Sequence, residues 1–398
     1  MTKKLSLRIK KLLLNPLLQL LLVFLFVSCC YSMLSAEVIS FFLTISVNLK
    51  ELLIFVLPFL LFSFVSVALS AIPREGMFFV LGLMLLVCVS NFCNVLVSGA
   101  IGFSLLSGLQ TSTIAETNVT FSPFFSLDLP HLLSTTLALI LGVCVGLFNS
   151  FRPNKYISLV INTIHDWVMK FMKQLFVPLL PLFVGGFLLK LFAEGKMTGF
   201  VSQNASVCLM MCGFLVAYLC VWLMVAAGFR FSRATEILKN AAPAIVTAFS
   251  TMSSAAALPM SLIAAEKNTK DKVLSDAVMP LTVNFHMVGD TIIVPIISML
   301  VMVSMNHPLP AFSDFVMFGV FFVLNKFAGG GVPSGTIMVT VPVLQKYFNF
   351  DDSMIAFIIA FYGVVDPIAT AGSVAANNFF VVIFQKIRAV LKKSFRRK

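Results

Sequence analysis

The sequence predicts an all-α polytopic membrane protein with eight transmembrane helices and two re-entrant helical hairpins, arranged as inverted repeats. Three observations predict it. The 398 residues are 59% hydrophobic and only 11% charged, with a mean hydropathy of +1.02. A soluble chain is closer to half apolar and a quarter charged, so this much apolar surface needs a bilayer. Eight apolar runs reach membrane-spanning length, and two further apolar stretches are broken by Gly, Pro and small polar residues. The composition excludes a soluble enzyme and a disordered chain. A net charge of +12 does not indicate nucleic acid, because the cations sit where a membrane protein places them.

The eight runs lie at about 13–36, 46–72, 77–104, 131–150, 157–192, 198–229, 273–305 and 354–385. Several exceed the ~20 residues that cross a bilayer, so tilt is expected. Lys3, Lys4, Arg8, Lys10 and Lys11 precede the first run. Lys386, Arg388, Lys392, Lys393, Arg396, Arg397 and Lys398 close the chain. Juxtamembrane cations stay cytoplasmic and meet anionic lipid there. Both termini are therefore expected in the cytoplasm, which requires an even number of crossings. That path puts Arg74, Arg152, Lys155, Arg230, Arg233, Lys239, Lys267, Lys270 and Lys272 inside. It puts the loop from about 105 to 130, with Glu116 and Asp128 and no Lys or Arg, outside. Lys190 and Lys196, beside Glu194, are the exception. The eight cysteines (Cys29, Cys30, Cys88, Cys93, Cys144, Cys208, Cys212 and Cys220) show no CxxC spacing and read as small buried hydrophobes.

The first broken stretch runs from Ala241 to Ala265 and centres on Thr251-Met-Ser-Ser-Ala-Ala-Ala-Leu-Pro259. The second runs from Phe315 to Tyr347 and centres on Ala328-Gly-Gly-Gly-Val-Pro-Ser-Gly335. Gly, Pro and small polar residues expose backbone groups that lipid cannot satisfy, so such backbone survives only inside protein or beside water. Each stretch reads as a re-entrant hairpin followed by a full span. That unit occurring twice in opposite orientation is an inverted repeat. Two distorted ordinary spans are the alternative, and they also keep the crossing number even.

The last span carries Asp366, Thr370, Ser373 and Asn377, spaced 4, 3 and 4. At ~3.6 residues per turn all four share one stripe. A carboxylate at that depth costs at least ~2.5 kcal/mol, which marks Asp366 as a functional candidate. The stripe serves either a ligand or hydrogen bonding between helices. The seventh span is interrupted at Asn284, His286, Gly289, Asp290 and Pro295, with Gly289 expected to let the helix unwind. Unwound carbonyls with Asn and Asp oxygens suit a hard cation such as Na+. His286 and Asp290 lie four apart, on one face if helical, and suit a proton relay; a core histidine bonded to a carbonyl is the alternative. At the first hairpin tip, Ser253, Ser254 and a helix N-terminus could meet a carboxylate. Gly331, Val332, Pro333, Ser334 and Gly335 at the second tip suit a lid over a small polar substrate. Lys326 precedes that tip, either as a cation of the core or as a snorkelling side chain.

These motifs, in this order, resemble the sodium:dicarboxylate and amino-acid symporters, the glutamate-transporter fold. Thr251-Met-Ser-Ser-Ala resembles the serine-rich first tip. His286, Met287, Val288, Gly289 and Asp290 occupy the five places of the family's Asn-Met-Asp-Gly-Thr break. Gly330-Gly-Val-Pro333 followed by Asp366-Pro resembles the second tip and last helix, and Ser46 to Ile72 looks like the second helix. The departures are specific. Val288 replaces an ion-binding Asp, Thr370 and Val381 replace carboxylates of the last helix, Ser373 replaces the Arg of acidic-substrate members, and Met252 replaces an Arg found in some.

The resemblance implies a cation-coupled symporter of a small amino acid or dicarboxylate, working by elevator-like alternating access as a homotrimer. The departures lean toward a neutral amino acid or another small solute. A channel or a substrate-sensing protein of the same fold is the alternative. No catalysis, no nucleic-acid partner, and no cofactor or metal beyond coupled Na+ and/or H+ is expected. Substrate contacts are expected from Ser253, Ser254, Met287, Gly331, Val332, Pro333, Ser334, Gly335, Thr370, Ser373 and Asn377. Ion coupling is expected from Asn284, His286, Asp290, Lys326, Asp366 and Asn377. Residues 1–230 are expected to form a six-helix scaffold and trimer-forming half, 231–390 the transport core, and 391–398 a basic cytoplasmic tail. The expected location is the bacterial inner (plasma) membrane.

Overall fold

The computed structural model describes residues 16–70, 77–106, 121–130, 133, 135–329 and 335–395. The N-terminal cation cluster, Arg74, Glu116 and residues 330–334 lie outside the described residues. The described chain is helical, with no strand. In order the helices are α1 (Pro16–Cys30), α2 (Ala36–Ser70), α3 (Met77–Leu106), α4 (Thr135–Phe151), α5 (Lys155–Lys170), α6 (Val177–Ala193) and α7 (Lys196–Ala227). They continue with α8 (Phe231–Thr251), α9 (Ser254–Thr269), α10 (Lys272–Phe285), α11 (Val288–Ser304), α12 (Phe312–Gly329), α13 (Gly335–Phe348) and α14 (Asp352–Phe395).

Among the described residues, five helical segments are long and apolar enough to cross a membrane. They are Ala36–Val56, Phe79–Leu106, Ala205–Ala227, Lys272–Ser304 and Asp352–Ala389. A sixth is the pair Lys155–Phe176 and Pro181–Ala193, bent by 54°. The bend follows a π-helical turn at Phe171–Phe176, with Pro181 just beyond, two recognised causes of kinks. The eight runs read from sequence thus give five to six candidate spans. Of the first and fourth runs the described helical parts are Pro16–Cys30 and Thr135–Phe151, and residues 13–15, 131, 132 and 134 of those runs lie outside the described residues.

Capping sets several boundaries. Asn154 accepts from the N–H groups of Tyr156 and Ile157 at the start of α5, and Asp271 accepts from Leu274 N at 3.0 Å at the start of α10. Gly228, at φ +66°, ends α7 in the left-handed conformation that suits glycine. In α4, Gly142 and Gly146 form a small-xxx-small pair. A side chain at Gly146 would lie 3.0 Å from the Ser66 backbone, so α4 and α2 approach as glycine alone permits. Ser66 and Ser70 of α2 donate to the carbonyls of Gly142 and Gly146 across this seam.

Packing gathers the helices into two groups, which meet where α6 packs on α7 and α14 and where α2 packs on α12. α2 packs on α4, α5 and α6, and α1 packs on α6. α3 packs on α11, α12 and α10, while α7 packs on α14, α8, α6 and α11. Thus α3 and α7, from the N-terminal half of the sequence, lie with the C-terminal helices. Leu85, Val89, Leu209, Val216 and Val221 leave an exposed apolar face on these two helices. A face of this kind is suited to lipid or protein. The cysteines correct the sequence expectation: all eight are free thiols, Cys29, Cys93, Cys144 and Cys220 are exposed, and none is fully buried. In a membrane protein an apolar residue is as well placed facing lipid as facing the core, so apolar flanks do not predict burial.

Candidate functional site

Two helical hairpins flank a broken helix. In the first, α8 turns at Met252 and Ser253 into α9. Asn240 Nδ2 donates to Asn268 Oδ1 at 2.7 Å, and Arg233 donates to the Asn268 carbonyl, pairing the start of α8 with the end of α9. In the second, Phe318 stacks on Phe348 with centroids 4.4 Å apart, and Asn325 Nδ2 donates to Val339 O at 3.2 Å, so α12 and α13 run antiparallel.

Between the hairpins the helix breaks at His286 and Met287, whose φ/ψ values (−95°/84° and −106°/69°) are not helical. The break precedes Gly289, which stands in the first turn of α11. Its lack of a side chain has another cause: a Cβ there would lie 1.9 Å from the Ala369 carbonyl oxygen of α14. That approach lets Gly289 N–H donate to Ser373 Oγ at 3.0 Å. The α14 stripe turns toward this break, and Asp366, Thr370, Ser373 and Asn377 are all buried.

Asp290 is the centre of the larger network. Tyr362 donates to its Oδ1 at 2.6 Å, and Thr336 donates to Oδ2 at 3.0 Å. Lys326 Nζ lies 3.5 Å from Oδ2 and donates to the Met287 carbonyl at 3.0 Å. Lys326 is 0% exposed, which overturns the snorkelling alternative. Asp366 Oδ1 accepts from Thr370 at 2.9 Å, and the Tyr362 hydroxyl lies 3.4 Å away, linking the two carboxylates. Met287 is buried, with its sulfur 3.6 Å from Thr336 Oγ1.

His286 belongs to a second network. Its Nδ1 lies 2.9 Å from Asn377 Oδ1 and its Nε2 3.0 Å from Ser90 Oγ. One ring N–H and one ring acceptor satisfy both partners. The ring packs with Trp222 and Phe380 in a cluster of three, its centroid 5.6 and 4.8 Å from theirs. Because the helix breaks at this residue, the i,i+4 face expected to join His286 to Asp290 does not form. Asn377 Nδ2 is buried without a hydrogen-bond partner among the described residues.

At the first tip a helix N-terminus begins at Ser254. Ser253 caps α9, its Oγ accepting from Ala256 N at 3.2 Å, and Ser254 is buried in the first turn. Met252 is buried in the left-handed conformation. Gly335 begins α13 and is buried. Gly331, Val332, Pro333, Ser334 and the side chain of Asn284 lie outside the described residues.

Tyr362, Thr336 and the α3 residues Ser90, Asn91 and Ser98 join the site without having been singled out in the sequence. Asn91 donates to Phe285 O at 2.7 Å and Ser98 to Ile292 O at 2.7 Å, bracing both sides of the break. Asn91, Asn94 and Ser98 are spaced 3 and 4, the same stripe signal that marks α14.

A family model described as the sodium:dicarboxylate symporter family matches residues 14–387. No curated protein matches the chain. With a broken helix between two hairpins, a polar stripe facing the break, and a match over nearly its whole length, the chain belongs to the sodium:dicarboxylate symporter family, a family of transporters rather than of enzymes.

Proposed function

We propose that the protein is a secondary transporter that carries a small amino acid, or a closely related small solute, across the membrane with a coupled cation. The observation that carries this reading is the break at His286–Met287, buried against the polar stripe of α14 and flanked by both hairpins. Broken helices at this depth supply backbone groups and helix ends that bind small polar solutes and ions. The substrate would contact Ser253, Ser254, Met287, Thr370, Ser373, Asn377 and the second tip from Gly331 to Gly335. Asn284, His286, Asp290, Lys326, Asp366 and Asn377 would make up the coupling side.

The substrate preference is for neutral over acidic amino acids. The buried cations among the described residues are Lys50 and Lys326. Lys50 is paired with Glu51 and Asp352, and Lys326 with Asp290. Ser373 has no charge to pair with a second carboxylate.

The packing groups support alternating access of an elevator kind. The mobile body would hold α3, α7 and α8–α14, moving against a scaffold of α1, α2 and α4–α6. Eight spans with two re-entrant hairpins, a homotrimer, cytoplasmic termini and a bacterial inner-membrane location complete the proposal. The basic tail from 391 to 398 would lie on the cytoplasmic face.

Thermal unfolding of the purified protein against neutral amino acids, aspartate, glutamate and dicarboxylates, with and without Na+, tests it. A ligand at a hundred times its Kd stabilises by about 2.7 kcal/mol. A shift with a small neutral amino acid is expected, and tight Na+-dependent aspartate binding with no neutral competitor would contradict the preference.

A further inference from the structure

Lys326 is the buried group whose position is least expected in a cation-coupled carrier. It sits on α12, four residues before the second tip begins at Gly330. Its ammonium lies between the two oxygens at the break best suited to a hard cation: the Met287 carbonyl at 3.0 Å and Asp290 Oδ2 at 3.5 Å. The Met287 carbonyl also accepts Thr291 N–H at 3.0 Å and lies 3.2 Å from Thr291 Oγ1, so the ammonium joins donors that already crowd this oxygen. Phe322 presents its ring 4.9 Å from Nζ on another side. Tyr362 and Thr336 take further positions on Asp290. A metal ion bound by both Met287 O and Asp290 would have to lie where Nζ lies.

We infer that Lys326 is a tethered counter-cation: its ammonium fills the cation place at the break, and Asp290 is held in the cycle by the protein's own charge instead of by an exchangeable ion. This deepens the transporter reading and rests on it. An ion-coupled carrier moves charge in both directions of its cycle according to whether the site is loaded. A lysine fixed there moves with the core, loaded or empty. The Lys326–Asp290 pair is neutral as a unit. Each unit charge moved through the membrane potential is worth about 2.3 kcal/mol per 100 mV, so a built-in pair removes one voltage-dependent step. The pair also accounts for the substitution of Val288 beside it. With an ammonium in place, a second carboxylate at 288 would face no vacant cation site, and Val288 is packed in the apolar core.

The test compares full-length wild type with Lys326→Gln. Melting temperature is read in NaCl and in choline chloride at matched ionic strength, with uptake by substrate exchange followed in proteoliposomes. Gln keeps the length and polarity but vacates the charge. A Na+-specific upward shift is expected in Lys326→Gln beyond any shift in wild type, and adding Asp290→Asn should remove the gain. An equal Na+ shift in wild type and Lys326→Gln overturns the inference. Should Lys326→Gln fail to yield folded protein in choline chloride, its recovery in NaCl supports the assignment and failure in both salts overturns it. Wild-type exchange of labelled substrate is a separate readout. Its absence contradicts the transporter reading, while the Na+ shift still decides what fills the cation place.

Discussion

Tyr362→Phe removes one oxygen and leaves the ring in place. In the structure that oxygen donates to Asp290 Oδ1 at 2.6 Å, and it is buried with its partner. A hydrogen bond to a charged group contributes about 1.5–3 kcal/mol, and the variant also leaves a carboxylate oxygen buried without that donor. Thr336 and Lys326 reach the other carboxylate oxygen, so they do not replace it. A loss of about 1.5–3 kcal/mol is therefore expected. A 150–250-residue domain moves about 2–4 °C per kcal/mol and a longer chain less, so the purified protein should melt a few degrees lower. Tyr156→Phe is the control, because Tyr156 is 79% exposed. In the Asp290→Asn background the cost of Tyr362→Phe should shrink, since the charge it served is gone. If Tyr362→Phe costs no more than Tyr156→Phe, or costs the same in both backgrounds, the carboxylate network does not hold the break together.

Gly289→Ala places a Cβ 1.9 Å from a backbone oxygen, which no rotamer change relieves. Destabilisation at or above the ~1–3 kcal/mol of ordinary overpacking is expected, read as lost folded yield on size exclusion. Asp366→Asn should abolish coupled uptake while folded protein still reaches the membrane; wild-type transport by this variant would make Asp366 merely structural. Ser373→Arg should shift preference toward aspartate in a competition assay, at a cost in stability. The site is filled, since Ser373 is 1% exposed and bonded to Gly289 N. An unchanged substrate order in folded Ser373→Arg would separate residue 373 from selectivity.

The parts of the molecule legible in the sequence are those set by local periodicity. The α14 stripe depends only on spacing within one helix, and its four residues are buried together. The hairpins were legible because Gly, Pro and Ser interrupt apolar runs. What was not legible is set by contacts between distant elements. Lys326 reads equally as an interfacial lysine until α12 is folded back along α13 toward Met287. Gly289 suggests a flexible break, and only the proximity of Ala369 shows that it serves helix packing. Tyr362 is one turn before Asp366 and was visible in principle, but an aromatic residue in an apolar helix carries no signal of its hydroxyl's partner. The Asn91–Asn94–Ser98 stripe on α3 was open to the same argument as α14. Hydropathy measures apolar length and does not see where a helix bends, so the fifth run carries no sign of the 54° bend beyond Phe171–Phe176.

Cation-coupled transport itself is tested most directly by accumulation. Wild-type protein and Asp366→Asn are reconstituted in liposomes, and uptake of a labelled small neutral amino acid is followed under an imposed Na+ gradient, an imposed pH gradient, or neither. Uptake by wild type should overshoot its equilibrium level under at least one gradient, saturate with substrate and reach only equilibrium without a gradient. The variant should show no overshoot. Flux that never exceeds equilibrium under either gradient, or that rises without saturation, would instead describe a channel.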